Sequence, residues 1–246
     1  LTEASIREGA DIVVACGGDG TINEVASCLV STPIPLGIIP LGSGNGLASN
    51  LHIPKNLRRA LAIIRNHRTV KIDVGQVDGH YFFSNTGIGF DADVIKYYES
   101  SQKHTLYGYA CAGLASFRNM GDNRDLTVHV DADSHLVNPF IVLISNTNQM
   151  GYHVSLTPKA SLQDGLLDVL IISEISRLKM LWLGLLILLR RIDWLKEATY
   201  FRTKELCLTR DGSASFESQI DGELHEIENS NLRITIRENS LNILVA

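Results

Sequence analysis

Apolar and polar positions along the first seventy residues alternate between two textures. Asp11 to Cys16 is a short apolar run that ends in glycines, as a buried parallel strand does. Thr21 to Val30 then places Ile22, Val25, Ala26, Leu29 and Val30 at helical spacing, with Thr21 and Glu24 set as a capping box. Leu36 to Ile39 is a second buried strand and again runs into a glycine-rich loop, Gly42 to Gly46. Asn56 to Arg65 reads as a helix after Pro54, with Leu57, Ala60, Leu61 and Ile64 inward. Strand, glycine loop, helix, repeated, describes a layered α/β unit.

From about Lys71 the period changes. Lys71 to Val77 and His80 to Asn85 flank Asp78-Gly79, a strong hairpin signal. Thr105 to Phe117 reads as a helix. Strands are expected at Leu126 to Val130, Phe140 to Ser145, Leu166 to Ile172, Glu205 to Leu208, Ser215 to Ile220, Leu232 to Ile236 and Leu241 to Val245. Short strands with turn chemistry between them make an antiparallel β-sandwich. One helix interrupts them, Ser176 to about Leu195, and it is apolar nearly all round. The expected organisation is an α/β domain over 1–72 followed by an all-β sandwich domain over 73–246.

Composition narrows the function. The 246 residues are 45% hydrophobic and carry a net charge of −5, which excludes a disordered chain and argues against a basic nucleic-acid binder. Four scattered cysteines without a C-x-x-C pair fit neither a zinc site nor a disulfide framework, and point to a reducing compartment. The longest apolar run, Met180 to Leu189, is ten residues, half of what a membrane span needs. Basic residues and Trp194 follow it, so it reads either as a buried helix or as a surface that touches a bilayer. The chain opens without Met on what reads as the last turns of a helix, Thr2 to Glu8, stopped by Gly9, as though partway through a domain.

The candidate chemistry sits in loops. Gly17-Gly18-Asp19-Gly20-Thr21 lies between a strand and a helix, where glycines allow close backbone approach and the helix start offers free N–H donors to a phosphate. Asp19 would repel that phosphate, so it suits a magnesium partner or a base near the reacting group. Leu41 to Gly46 repeats the same makeup on the same sheet edge, where ligands of α/β sheets collect. Asp164-Gly165-Leu166-Leu167-Asp168 and Asp221-Gly222-Glu223 are acidic turns, open to a plain hairpin reading. The second also brings two carboxylates near one point, as a general base beside a metal-linked acid would be. Asp73 alternates with Ile72 and Val74 on a strand near the domain junction. The eight histidines show no ligand spacing and read as structural or solvated.

Together these motifs resemble the diacylglycerol-kinase-like lipid kinases, the group that includes bacterial diacylglycerol kinases, sphingosine kinases and ceramide kinases. Five segments occur in family order: Gly17 to Thr21; Pro40-Leu41-Gly42-Ser43-Gly44-Asn45; Asn85-Thr86-Gly87-Ile88-Gly89-Phe90-Asp91-Ala92; Pro158 through Asp164 to Val169; and Asp221-Gly222-Glu223. The resemblance implies ATP and Mg²⁺ as cofactors, bound in a cleft between the two domains. It implies an ATP site at Gly17, Gly18, Asp19, Gly20, Thr21, Ile22 and Asn23, with Ser43, Gly44 and Asn45 from the second loop. It implies a base at Asp221 or Glu223, with Asp19 also in the catalytic set. Asp19 and Asp73 match acids tied by water to the catalytic magnesium. A second, structural ion would use the Asp164 carboxylate and the backbone carbonyls of Ser161 and Leu166.

Three departures qualify the match. The family's opening strand, ending in Asn-Pro, and the helix that follows it are absent from this sequence. Gly46 stands where many bacterial diacylglycerol kinases carry Asp, closer to the sphingosine and ceramide branch. Ile95 stands where sphingosine kinases carry the acid for the substrate amine. The implied activity is ATP-dependent phosphorylation of a diacylglycerol-like or sphingoid lipid hydroxyl by a cytoplasmic protein peripherally bound to a membrane. The expected partners are lipid at a membrane surface and a second copy in a homodimer, with no nucleic acid. The alternatives are a soluble-substrate kinase of the NAD kinase type and a catalytically idle lipid-binding or regulatory module.

Overall fold

The computed structural model describes residues 1–89, 126–130, 133–137, 139–149, 155–173, 175–189, 191–210 and 215–246. The helix expected at Thr105 to Phe117 lies outside the described residues. The chain opens with helix α1 (Thr2–Arg7), strand β1 (Val13–Gly17), helix α2 (Asp19–Leu29) and strand β2 (Leu36–Pro40). β1 and β2 pair in parallel, from Val13 opposite Leu36 to Gly17 opposite Pro40. Both strands therefore end at one level, and the two glycine loops that follow them leave side by side.

Short helix α3 (Gly46–Asn50) and helix α4 (Leu57–Asn66) complete this layer. Asn56 caps α4 by accepting the Arg59 amide at 3.1 Å. The face of α4 differs in part from the expected one. Ala60 and Ile63 are buried, whereas Leu57 and Leu61 remain 53% and 43% exposed. Ala60 and Ile64 do face inward as expected, Ile64 docking over Gly37, where a Cβ would meet it at 3.1 Å. The capping box expected at Thr21 and Glu24 is also absent. α2 starts two residues earlier, after Gly18, with no side-chain cap.

The remaining strands build two sheets. β3 (Thr69–Val77) and β4 (His80–Phe82) form the expected hairpin, with Asp78 at φ 44 and Gly79 at φ 88 as a two-residue turn of positive φ demands. They share a mixed sheet with β1, β2, β6 (Leu126–Val130), β7 (Asp133–Val137), β11 (Glu205–Arg210) and β14 (Asn231–Leu244). The second sheet is antiparallel throughout, in the order β10 (Ala198–Thr203), β9 (Leu167–Ser173), β8 (Pro139–Ser145), β5 (Asn85–Gly89), β12 (Phe216–Ile220), β13 (Glu223–Ile227). Val77, Phe82, Val142, Val169, Leu208, Phe216 and Ile234 fill the space between the sheets. An α/β layer followed by an antiparallel sandwich is thus the architecture.

The two strands expected at Leu232 to Ile236 and Leu241 to Val245 are one strand, β14, bent at a register shift between Arg237 and Leu241 where Asn239 takes φ 50. Its first half pairs with β11 and its last residues return to the amino-terminal layer, Ile243 lying beside Leu36 and opposite Val70. The helix expected at Ser176 to Leu195 is shorter. It is α5 (Arg177–Leu188), capped by Ser176, followed by a single 3-10 turn at Ile192–Trp194.

Ile243 is fully buried and ties the last strand to the first layer. Replacing it with Ala should lower the free energy of unfolding by about 2–5 kcal/mol, with no change in the denaturant slope. Urea titration followed by far-ultraviolet circular dichroism checks this, and a loss below about 1 kcal/mol would show that β14 does not hold the layers together.

Candidate functional site

The two glycine loops are in backbone contact. Leu41 donates its amide to the Gly17 carbonyl at 2.9 Å, and a Cβ on Gly42 would fall 2.5 Å from the Gly18 Cα. Asp19 fastens them: its carboxylate accepts the Asn45 amide at 2.7 Å and the Gly46 amide at 2.8 Å. Burial pushes the Asp19 carboxyl up, opposed by these two amides and by the Lys55 charge. Asn45, buried and left-handed at φ 54, turns its side chain back on its own loop and accepts the Gly42 amide at 2.9 Å. Gly44 leaves room for Asp19, whose Oδ2 would sit 2.9 Å from a Cβ there. Thr21 and Ser43 are exposed at the loop tips. Ile22 points into the core and its amide is bonded to the Gly18 carbonyl, so it supports the loop from beneath. The uncapped start of α2 leaves first-turn N–H groups free for an anion.

The Asp221-Gly222-Glu223 motif is the tight turn between β12 and β13, with Asp221 at φ 49 and Gly222 at φ 90. It is a hairpin turn with a second job. Asp221 Oδ2 accepts from Asn23 Nδ2 at 2.7 Å and the Phe83 amide at 2.8 Å, and Oδ1 accepts the Ser84 and Asn85 amides at 2.7 and 3.1 Å. Four donors fill the four acceptor positions of a carboxylate. Burial raises the Asp221 pKa to about 6 against the pull of those donors, so the group is ionised at neutral pH. Gln219 braces the turn, donating to Asn85 Oδ1 at 2.6 Å and accepting the Gly222 amide at 2.9 Å. Glu223 is different. It is exposed, and its Oε1 would lie 1.9 Å from a Cβ on Gly20. Its carboxylate therefore rests against the first turn of α2.

Beside Glu223 lies a cavity of about 370 Å³, walled by α2 at Gly20, Asn23 and Ser27 and by the two hairpins at His80, Tyr81 and His225. The His80 and His225 rings are 5.4 Å apart. Neither histidine carried a signal in the sequence, because they meet across 145 residues of chain. Lys55 had none either; its Nζ donates to the Ser43 carbonyl at 3.2 Å and puts a cation at the lip of the second loop.

Asp73 and the Asp164 turn form a separate cluster. Asp73 accepts the Gly165 and Asn239 amides, each at 2.8 Å, and its own amide donates to the Leu162 carbonyl. Asp164 accepts the Leu166 amide at 3.2 Å and has Arg202 at 3.5 Å, while Ser161 accepts the Gln163 amide through its hydroxyl. Among the described residues no three His, Cys, Asp or Glu side chains gather as a metal site. Asp19 and Asp73 each give both oxygens to backbone donors, which leaves one acceptor position per oxygen. Asp19 keeps these positions beside the glycine loops and fits a magnesium ion held through water, whereas Asp73 is buried with its amide partners in the second cluster.

Residues 1–77 match the diacylglycerol kinase catalytic domain and residues 84–245 match the YegS C-terminal NAD kinase beta sandwich-like domain. The chain belongs to the diacylglycerol-kinase-like lipid kinase family that these two domains define. A diacylglycerol kinase of Bacillus subtilis is 34% identical over 177 residues, 70% of this chain and 58% of the relative. One from Staphylococcus haemolyticus is 28% identical over 176 residues, 70% of this chain and 53% of the relative. The matches thus cover little more than half the length of these curated relatives. In fold, the chain follows a solved structure from Bacillus anthracis str. Sterne assigned to the diacylglycerol kinases, with a TM-score of 0.78 and 19% identity over all of this chain and 82% of that one.

Two glycines separate backbone from side-chain constraint. Gly42→Ala drives a methyl into the Gly18 backbone and should cost about 1–3 kcal/mol of stability, whereas Gly20→Ala displaces only the flexible end of Glu223 and should stay within about 1 kcal/mol. Equal losses in thermal unfolding would contradict this reading of the loops. Asp221 makes a pH prediction. Its folded pKa lies above the ordinary 3.8, so its contribution to stability is complete below pH 4 and is lost as pH rises through about 6. The stability difference between the wild type and Asp221→Asn should therefore shrink by on the order of 1–3 kcal/mol between pH 4 and 7. A difference independent of pH would show that burial does not govern this carboxyl.

Proposed function

We propose that the chain catalyses transfer of the γ-phosphoryl group of ATP to the hydroxyl of a diacylglycerol-like or sphingoid lipid, acting in the cytoplasm at a membrane surface. One observation carries this reading: an uncommitted carboxylate, Glu223, rests against Gly20 at the helix start where phosphate would lie. Asp221 is buried with all four acceptor positions filled, so of the two acids in the turn it is the exposed Glu223 that an acceptor hydroxyl can reach. The glycine loops and free amides of α2 would hold the triphosphate, with Ser43 and Lys55 at the rim. The acceptor hydroxyl would enter from the cavity beside Glu223, release its proton to that carboxylate and attack phosphorus in line. The new O–P bond forms as the bond from phosphorus to the bridging oxygen breaks and ADP leaves. Such transfer depends on positioning and charge neutralisation more than on covalent help from the protein. Asp19, and Asp73 as the family resemblance implies, would hold magnesium, which would supply part of that neutralisation.

The lipid acceptor is supported by the family and by the relatives named diacylglycerol kinase. The test is phosphate transfer from γ-labelled ATP, with magnesium, into mixed detergent micelles of total lipid extract, products being identified by mass. Glu223→Gln should lower turnover roughly 10²–10⁴-fold while ATP affinity stays within about threefold. Full turnover in that variant would remove Glu223 as the base. A labelled water-soluble acceptor in place of a lipid would overturn the lipid reading.

A further inference from the structure

We propose that the outer face of α5 and the 3-10 turn after it form a docking surface for an anionic lipid bilayer, with the helix lying in the plane of the interface. α5 is apolar on two sides, and the structure separates their work. Leu183 and Leu186 are buried on the outside of the antiparallel sheet, in a cluster with Leu143, Leu170 and Ile172. Trp182, Leu185 and Leu189, spaced three and four residues apart, face outward at 42%, 45% and 53% exposure, and Trp194 on the 3-10 turn follows at 52%. Four of the nine exposed large hydrophobics among the described residues thus lie on one short stretch, a concentration that scattered surface leucines do not produce.

Charge selects the occupant. Between residues 177 and 197 the sequence carries Arg177, Lys179, Arg190, Arg191 and Lys196 against Asp193 and Glu197; Lys179 pairs with Glu197 and Arg191 with Asp193, which leaves a local balance of +3 in a chain of −5. The Arg191 guanidinium lies 3.9 Å from the centre of the Trp194 ring, a cation and an amphipathic ring paired as at the edge of a bilayer. A two-fold dimer through this face would bring two copies of this net positive segment together. The twelve residues of α5 extend about 18 Å, too short to span, and no helix among the described residues is long and apolar enough to cross a membrane. A basic-flanked apolar stripe of this length lies on a membrane.

The chain's two tryptophans are both on this surface, so its intrinsic fluorescence reports on the surface directly. The whole chain would be mixed with vesicles of phosphatidylcholine containing phosphatidylglycerol, and with pure phosphatidylcholine vesicles. The expected result is a blue shift of emission, quenching by brominated acyl chains and sedimentation with the anionic vesicles, weakened by salt. Leu185→Ser with Leu189→Ser should lower partitioning about tenfold or more at an unchanged unfolding temperature, since both side chains are already exposed. Arg191→Glu with Lys196→Glu should weaken binding to the anionic vesicles alone. Absence of any shift and of sedimentation overturns the proposal. So does a blue shift that appears without vesicles and grows with protein concentration, which would mark a second copy as the occupant. The proposal is separable from the kinase reading: docking without labelled lipid sinks only the kinase, and labelled lipid in micelles without vesicle binding sinks only the docking surface.

Discussion

The carboxylate of Asp221 is the constraint on which the site depends. It sits on the turn of the second sheet, yet its four donors come from α2 and from the segment Phe83 to Asn85 that leads out of the β3–β4 hairpin. One side chain therefore binds the start of the amino-terminal layer to the end of the sandwich. Without it, Glu223 two residues on would have no fixed relation to Gly20. The left-handed backbone at Asp221 is part of the same constraint, because a type of turn that most residues resist is held in place by bonds that its own side chain makes.

Asp19 and Asp73 work in the same way on other joints. Asp19 closes the two glycine loops on each other, and Asp73 collects the Gly165 turn and the bend of β14 at Asn239. Asn146 adds to this second joint by donating to the Asp73 carbonyl at 2.8 Å. Three acids that look chemical in the sequence are thus anchors for backbone amides, each with at least two such bonds. Anchoring and chemistry are compatible, since a carboxylate fixed by amides is also positioned to hold water around an ion. The acid that lacks such anchors is Glu223, and freedom is what a proton carrier needs.

Much of the architecture was legible in the chain. Glycines after two buried strands and an Asp-Gly hairpin are local signals, and each corresponds to a real feature. β14 escaped because Asn239 and Ser240 look like a turn between two strands, when they form a bulge inside one. β10 and β13 escaped because edge strands bury few side chains and lose the alternation that marks a strand. Half of the expected α4 face, Ala60 and Ile64, is inward, while Ile63 is buried in place of Leu57 and Leu61, because the inward stripe of this short helix is narrower than its apolar content. The five motifs located the candidate site but not its division of labour. That required knowing that Asn23 faces Asp221 across 198 positions, that His80 and His225 line one cavity and that Lys55 reaches the Ser43 carbonyl.

The loops and the turn also explain why so many glycines gather here. Gly18 and Gly42 permit two backbones to touch, while Gly20 permits a backbone and a carboxylate to do so. A methyl at any of these points would separate the groups that the acids draw together. Attraction and close approach are thus supplied by different residues, aspartate for one and glycine for the other. The site is stiff where the aspartates hold it and open where Glu223 borders the cavity, which is the combination that in-line attack by a bulky acceptor requires.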